Sequence, residues 1–199
     1  MIPVRPKYKE LSVVSFFIGL VFVIVFTLIK HDWSYRWYYP FFNTTIAITC
    51  IGVFWYLFNQ YIWRWKISKF CIVDFPDLNG SWEGTLKTDG KHSLKEEDLK
   101  CSLTIKQTYI SISCRFRTNK ASSNSITATL LTNADKNEFM LIYCYENTPV
   151  RGKAPTSSRM HHGTAMLDFD ANNNTLEGNY YTNREVPTQG SLELKRVPK

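Results

Sequence analysis

The chain has 199 residues, 44% hydrophobic and 15% aromatic, with a formal charge of +7. Residues 1–69 carry eight Lys/Arg against two acids (Glu10, Asp32), whereas residues 70–199 carry sixteen against fifteen. A general nucleic-acid binder places its positive charge on the folded domain. Here the excess flanks apolar segments, which points to a membrane and sets that class aside.

Leu11–Ile29 is a stretch of nineteen residues without a charge. At about 1.5 Å per residue it makes roughly 28 Å of helix, close to the hydrocarbon thickness of a bilayer. No small-x-small cleavage site follows it, so a retained membrane helix is expected rather than a signal peptide. A second uncharged stretch runs from Phe41 to about Ile62. The segment between them, HDWSYRWYYP, has the Trp and Tyr content of an interfacial turn, and Trp63 and Trp65 mark the other interface. Arg5, Lys7 and Lys9 precede the first span, and Arg64, Lys66 and Lys69 follow the second. The positive-inside rule then puts both termini in the cytoplasm, with the turn outside. Ser15 and Gly19 form a small-xxx-small pair on the first helix, and Thr45 and Thr49 put small polar groups on the second. Such positions let helices approach closely, either within one chain or between chains.

The five cysteines (Cys50, Cys71, Cys101, Cys114, Cys144) are scattered and contain no C-x-x-C pair. Neither a disulfide framework nor a metal site is expected, and reduced buried thiols suit a cytosolic domain.

From residue 80 onward the pattern changes to short runs with period-two alternation. Eight are expected, near 80–88, 100–107, 109–118, 125–132, 138–146, 162–170, 175–183 and 189–197, with NADKN and DANNN as turns. Eight antiparallel strands close naturally into a barrel, and a two-sheet sandwich is the structural alternative. The fold expected is thus an all-β cytosolic domain, an eight-stranded up-and-down β-barrel over residues 70–199. It is preceded by a 1–69 anchor of two transmembrane α-helices.

Alternation directs Trp82, Gly84 and Leu86 inward on the first strand and Leu192, Leu194 and Arg196 inward on the last. This resembles lipocalin-like barrels, in which a first-strand Trp is covered by an Arg from the last strand. The resemblance implies that Trp82 and Arg196 close the barrel floor. Connections near 108, 133–137 and 171–174 fall on the floor side, and those at 89–99, 119–124, 147–161 and 184–188 fall at the mouth. The second helix enters at the floor, so the mouth is expected to face the cytosol. Inward residues near the mouth include Tyr143, Tyr145, Tyr180 and Thr182. The surrounding loops carry Arg117, Lys120, Arg151, Lys153, Arg159, His161, His162 and Arg184. Aromatic faces suit nucleobases and forked guanidinium donors suit phosphates. The ligand candidates are therefore Tyr143, Tyr145, Arg151, Arg159, His162, Tyr180, Thr182 and Arg184. No P-loop, G-x-S-x-G or H-E-x-x-H motif is present, so binding without catalysis, cofactor or metal is expected.

Two N-terminal spans followed by PDLNGSWEG (Pro76–Gly84) opening a cytosolic barrel resemble the two-transmembrane β-barrel effectors of bacterial CBASS anti-phage systems. The resemblance implies a barrel that binds a cyclic dinucleotide made by a partner nucleotidyltransferase, with no stable complex between the two. It also implies homo-oligomer formation on activation, followed by damage to the lipid bilayer of the bacterial inner membrane. The alternatives are a membrane-tethered lipocalin-like carrier of a small ligand and a scaffold that binds none.

Overall fold

The structure is a computed structural model, described over residues 1–29, 39–65, 72–89, 99–119, 121–149, 160–184 and 187–198. The turn at 31–38, expected to be interfacial, lies outside the described residues. The elements in chain order are β1 (Ile2–Pro3), α1 (Tyr8–Ile29), α2 (Tyr39–Gln60) and a 3-10 turn at Ile62–Arg64. The strands β2 (Gly80–Asp89), β3 (Leu99–Gln107), β4 (Ile112–Thr118) and β5 (Ala121–Thr132) follow. They continue as β6 (Phe139–Pro149), β7 (His161–Asp170), β8 (Thr175–Thr182) and β9 (Gln189–Arg196). The chain forms two compact units, Met1–Val4 with Phe75–Lys199, and Arg5–Asp74.

In the first unit each strand from β2 to β9 pairs antiparallel with the next, and β9 returns to β2. The result is a closed eight-stranded antiparallel barrel, not a sandwich. Closure removes free edges, and the alternation read from sequence becomes an inside and an outside. On β3, Cys101, Leu103, Ile105 and Gln107 are buried; on β9, Gly190, Leu192 and Leu194 are buried. The NADKN and DANNN turns are both present. In the second, Asn174 takes a positive φ of 51°, and Asp170 Oδ1 accepts from the backbone N–H of Asn172 and Asn173. Those donors hold the Asp170 carboxyl below its ordinary pKa.

Trp82 is fully buried, and the Arg196 guanidinium lies 4.9 Å from its ring centroid. Trp82 Nε1 donates to Leu78 O at 3.0 Å, and Arg196 Nη2 donates to the carbonyls of Asp77 and Asn79. Phe169 meets the Trp82 ring edge-on at 6.2 Å. The Phe75–Asn79 segment is anchored below by Gln107, whose Oε1 accepts from Leu78 N at 2.7 Å and whose Nε2 donates to Pro76 O at 3.1 Å. This buried amide is satisfied on both ends, which is why a polar residue is tolerated there.

Two differences from the expected strands matter. First, β5 begins at Ala121, not near 125, so the 119–124 connection is only a tight turn after Thr118. Ser122, Ser123 and Asn124 read as loop because they lack apolar alternation, yet they pair with β4 and β6. A bulge between Ser125 and Thr127 turns Ile126 outward and resets the alternation that follows. Second, Met1–Val4 belongs to the barrel unit. Ile2 and Pro3 pair with Thr132 and Leu131 on β5, and Val4 N donates to Leu130 O at 2.8 Å. Pairs between β4 and β5 cover only Arg115–Arg117 and Ser122–Asn124. The β1 strand therefore occupies β5 backbone near the floor that β4 leaves unpaired. Within the barrel unit, Val4 and Phe75 thus both lie at the floor end.

In the second unit α1 and α2 are each 22 residues long. Tyr8–Val25 has mean hydropathy 2.0 and is long and apolar enough to cross a membrane. The second segment, expected to span from Phe41 to about Ile62, is helical as α2 but does not reach that level among the described residues, because it carries Asn43, Thr44, Thr45, Thr49, Asn59 and Gln60. Ser15 Oγ donates to Leu11 O at 3.0 Å and accepts from Trp55 Nε1 at 2.8 Å. A Cβ at Gly19 would lie 3.5 Å from Ile51 Cδ1, in ordinary contact. Ser15 and Gly19 therefore face α2 of the same chain. Thr45 and Thr49 are exposed, with Thr49 Oγ1 donating to Thr45 O at 2.9 Å.

Candidate functional site

The mouth is the end opposite Trp82. Its inner wall is built where the inward registers of five strands leave the apolar core. On β6 the inward series runs Leu141, Tyr143, Tyr145 and then Asn147, changing from apolar to polar toward the mouth. Asn147 is paired with Ser123 on β5 and with His161 on β7. Arg184, just past β8, donates from Nε to His161 Nε2 at 3.2 Å. Ser123, Asn147, His161 and Arg184 thus form a polar row across four adjacent wall segments.

Two tyrosines lie beside that row on glycine seats. A Cβ at Gly163 would come within 2.4 Å of the Tyr145 hydroxyl, and one at Gly190 within 2.8 Å of Tyr180 Cε1. The same Cβ atoms would also meet backbone carbonyls, Tyr181 O at 2.5 Å and Lys87 O at 2.0 Å, so a larger residue at either position disturbs the strands as well as the rings. The Tyr180 hydroxyl also shares a 2.7 Å hydrogen bond with Thr88 Oγ1. Tyr143 lies deeper, 2% exposed, with its ring centroid 5.8 Å from that of Tyr145.

The row contains two polar atoms that no protein group satisfies among the described residues. Ser123 Oγ and Asn147 Oδ1 are both buried and lack a hydrogen-bond partner. Leaving one such atom unpaired costs about 1–3 kcal/mol, which a domain tolerates only for a reason.

The expected ligand residues are placed unevenly. Tyr145, Tyr180 and Arg184 come together at the mouth; burial raises the Tyr145 phenol to about 12, Tyr180 adds to that, and Arg184 opposes it. Thr182 is near them but committed to the turn, its hydroxyl sharing a 2.8 Å bond with Thr188 Oγ1. His162 is on the exposed outer face, 3.8 Å from Glu146 Oε2, and its neighbour His161 faces inward instead. The reason is strand parity: a one-residue shift exchanges the faces. Arg151 and Arg159 lie outside the described residues. Ser123 and Asn147 were missed because both are polar residues at strand ends, where sequence alternation reads as loop.

The interior thiols are shielded. Burial raises Cys101 and Cys114 to about 12 each, and desolvation raises Tyr143 well above the ordinary phenol value. An acid whose folded pKa is raised gives its full stability below the unfolded value and loses it as pH climbs toward the folded one. These groups should therefore lower the melting temperature between roughly pH 9 and 12, the ordinary and raised thiol values, and leave it unaffected just below that window. Replacing both cysteines with alanine should flatten the early part of that fall in a thermal-melt series. A melting temperature that rises with pH over this range would contradict the assignment.

The comparisons with known proteins agree with this geometry. Residues 73–196 match the family described as Cap15, cyclic dinucleotide receptor domain. The chain is similar to CD-NTase-associated protein 15 of Staphylococcus schleiferi, 27% identical over 188 residues that cover 94% of this chain and 95% of that protein. It is also similar to CD-NTase-associated protein 15 of Yersinia aleksiciae, 29% identical over 144 residues, covering 70% of this chain and 64% of that protein. The barrel, with Trp82 at one end and Tyr145, Tyr180 and Arg184 at the other, lies within the matched region, and the chain belongs to the Cap15 family of cyclic dinucleotide receptor domains.

Proposed function

We propose that the protein is a membrane-anchored CBASS effector whose barrel binds a cyclic dinucleotide without turning it over, then self-associates and disrupts the bacterial inner membrane. The observation that carries the ligand class is the polar row at the mouth, flanked by Tyr145 and Tyr180, in a chain of a cyclic dinucleotide receptor family. Tyrosine faces stack on bases, and Arg184 supplies charge-assisted donors to phosphate. A carrier of apolar ligands would leave buried polar atoms at its mouth still unpaired, which argues against that alternative. The Trp82–Arg196 closure supports a lipocalin-like reading of the barrel, with its mouth turned to the solvent that supplies the ligand.

Membrane attachment rests on α1, and the chain path supports a second crossing. Residues 2–4 and residues from 75 onward are both parts of the barrel, so a chain that leaves it across a bilayer must return. If α1 crosses outward, α2 is the segment available to cross back, with its Thr and Asn side chains tolerated by helix packing. The basic residues around both ends support a reading with the termini in the cytoplasm. Two helices leave no lumen between them, so membrane damage requires several protomers. Ser15 and Gly19 serve the pair within one chain, and association between protomers is assigned to the exposed side of α2 that carries Thr49. Ligand drives assembly only if it binds the associated state more tightly.

Titration of the full-length protein in detergent with cyclic dinucleotides tests the ligand class. One of them at a hundred times its Kd should stabilise the barrel by about 2.7 kcal/mol in a thermal melt. No stabilisation by any cyclic dinucleotide would refute the reading, and stabilisation by fatty acids alone would favour the carrier.

A further inference from the structure

We propose that Ser123 and Asn147 read the edge of a nucleobase, and so set which cyclic dinucleotide the barrel prefers. This rests on the ligand class proposed above and adds the specificity determinant. Ser123 and Asn147 are direct register partners across the β5–β6 ladder. Opposite residues in an antiparallel pair have Cβ atoms about 4.5–5.5 Å apart, close enough to address one planar edge together. Ser123 Oγ and Asn147 Oδ1 are both buried, and neither has a partner among the described residues. At this level the wall runs Phe116, Ser123, Asn147 and His161 across β4 to β7, with Tyr145 one step deeper on β6, so the polar pair stands beside aromatic faces.

The chemistry of the two side chains defines what they take. Asn147 Oδ1 accepts only, and so calls for a donor of the ligand, a base N–H or a ribose hydroxyl; only the first differs between bases. Ser123 Oγ both donates and accepts, and so complements a neighbouring ring nitrogen or carbonyl. An N–H beside an acceptor is the pattern on a base edge; a phosphate offers acceptors alone and cannot satisfy Asn147 Oδ1. Arg184 and the tyrosine faces treat all bases alike, since every base has a π-face and every cyclic dinucleotide has the same phosphates. Discrimination therefore falls to the Ser123–Asn147 pair.

The test measures the Kd of full-length protein in detergent for cyclic di-AMP, cyclic di-GMP, cyclic GMP–AMP and cyclic UMP–AMP. Asn147→Ala should weaken the preferred ligand about 5- to 100-fold and the poorer ones much less, compressing the ranking. Asn147→Asp, nearly the same shape, should also reorder the panel, which separates base reading from loss of packing. Ser123→Ala should weaken the preferred ligand while leaving the ligand-free melting temperature unchanged or higher, because an unpaired buried hydroxyl has been removed. Arg184→Ala should instead weaken all four by a similar factor. If the Asn147 and Ser123 variants bind the panel in the wild-type order with uniform or no loss, the inference is overturned while the ligand class stands. If wild-type protein binds none of the four, the ligand class itself fails.

Discussion

Trp82→Ala is expected to destabilise the barrel by about 3–5 kcal/mol, the usual cost of truncating a large buried aromatic. The side chain is fully buried, and three groups depend on it: the Leu78 carbonyl that accepts from Nε1, the Phe169 ring and the stacked Arg196 guanidinium. A fall in melting temperature on the order of 10–20 °C should follow. Arg196→Ala should cost less, because Trp82 keeps its other contacts and the carbonyls of Asp77 and Asn79 are only part-buried. A Trp82→Ala variant that melts with wild type would show that the floor does not hold the barrel together.

Val21→Arg is expected to abolish membrane damage while leaving ligand binding intact. Val21 is exposed within the apolar stretch of α1, and a charge near the centre of a spanning helix costs about 2.5–3.5 kcal/mol on insertion scales. No barrel residue is touched, so the Kd for a cyclic dinucleotide should match wild type. Dye leakage from vesicles and the share of protein in the membrane fraction report the effect. A Val21→Arg protein that still permeabilises vesicles at the wild-type rate would refute the role assigned to α1.

The barrel floor was legible in the sequence because its signals are local and apolar. Trp82 and Arg196 stand in the inward register of strands whose alternation has no interruption, so parity gives their face, and the resemblance to lipocalin-like barrels implied that the two meet. The mouth was harder for the opposite reason. Its inner wall is polar, and polar residues at inward positions erase the alternation used to find strands. Ser122, Ser123 and Asn124 consequently read as a connection, which hid Ser123. His162 and His161 illustrate the same weakness from another side, since adjacent residues face opposite ways and a start one residue later reverses them. The helix positions divided likewise: the Ser15 spacing marked a close approach, but only the Trp55 Nε1 hydrogen bond shows that the partner lies in the same chain.

By itself the sequence determined the class of the molecule: apolar, uncharged N-terminal segments flanked by basic residues, then eight alternating runs closed by a tryptophan and an arginine. Those features depend on composition and on periods of 3.6 and 2, which are local properties of the chain. Tertiary structure decided what depends on pairing between distant residues. The return of Ile2–Pro3 to β5, some 130 positions away, fills a gap that exists only once β4 has left that strand. The meeting of Ser123 with Asn147, and of His161 with Arg184, is likewise a matter of register, bulge and barrel closure. No local pattern encodes such a row, because each member belongs to a different segment and is polar for a reason that only its neighbours supply.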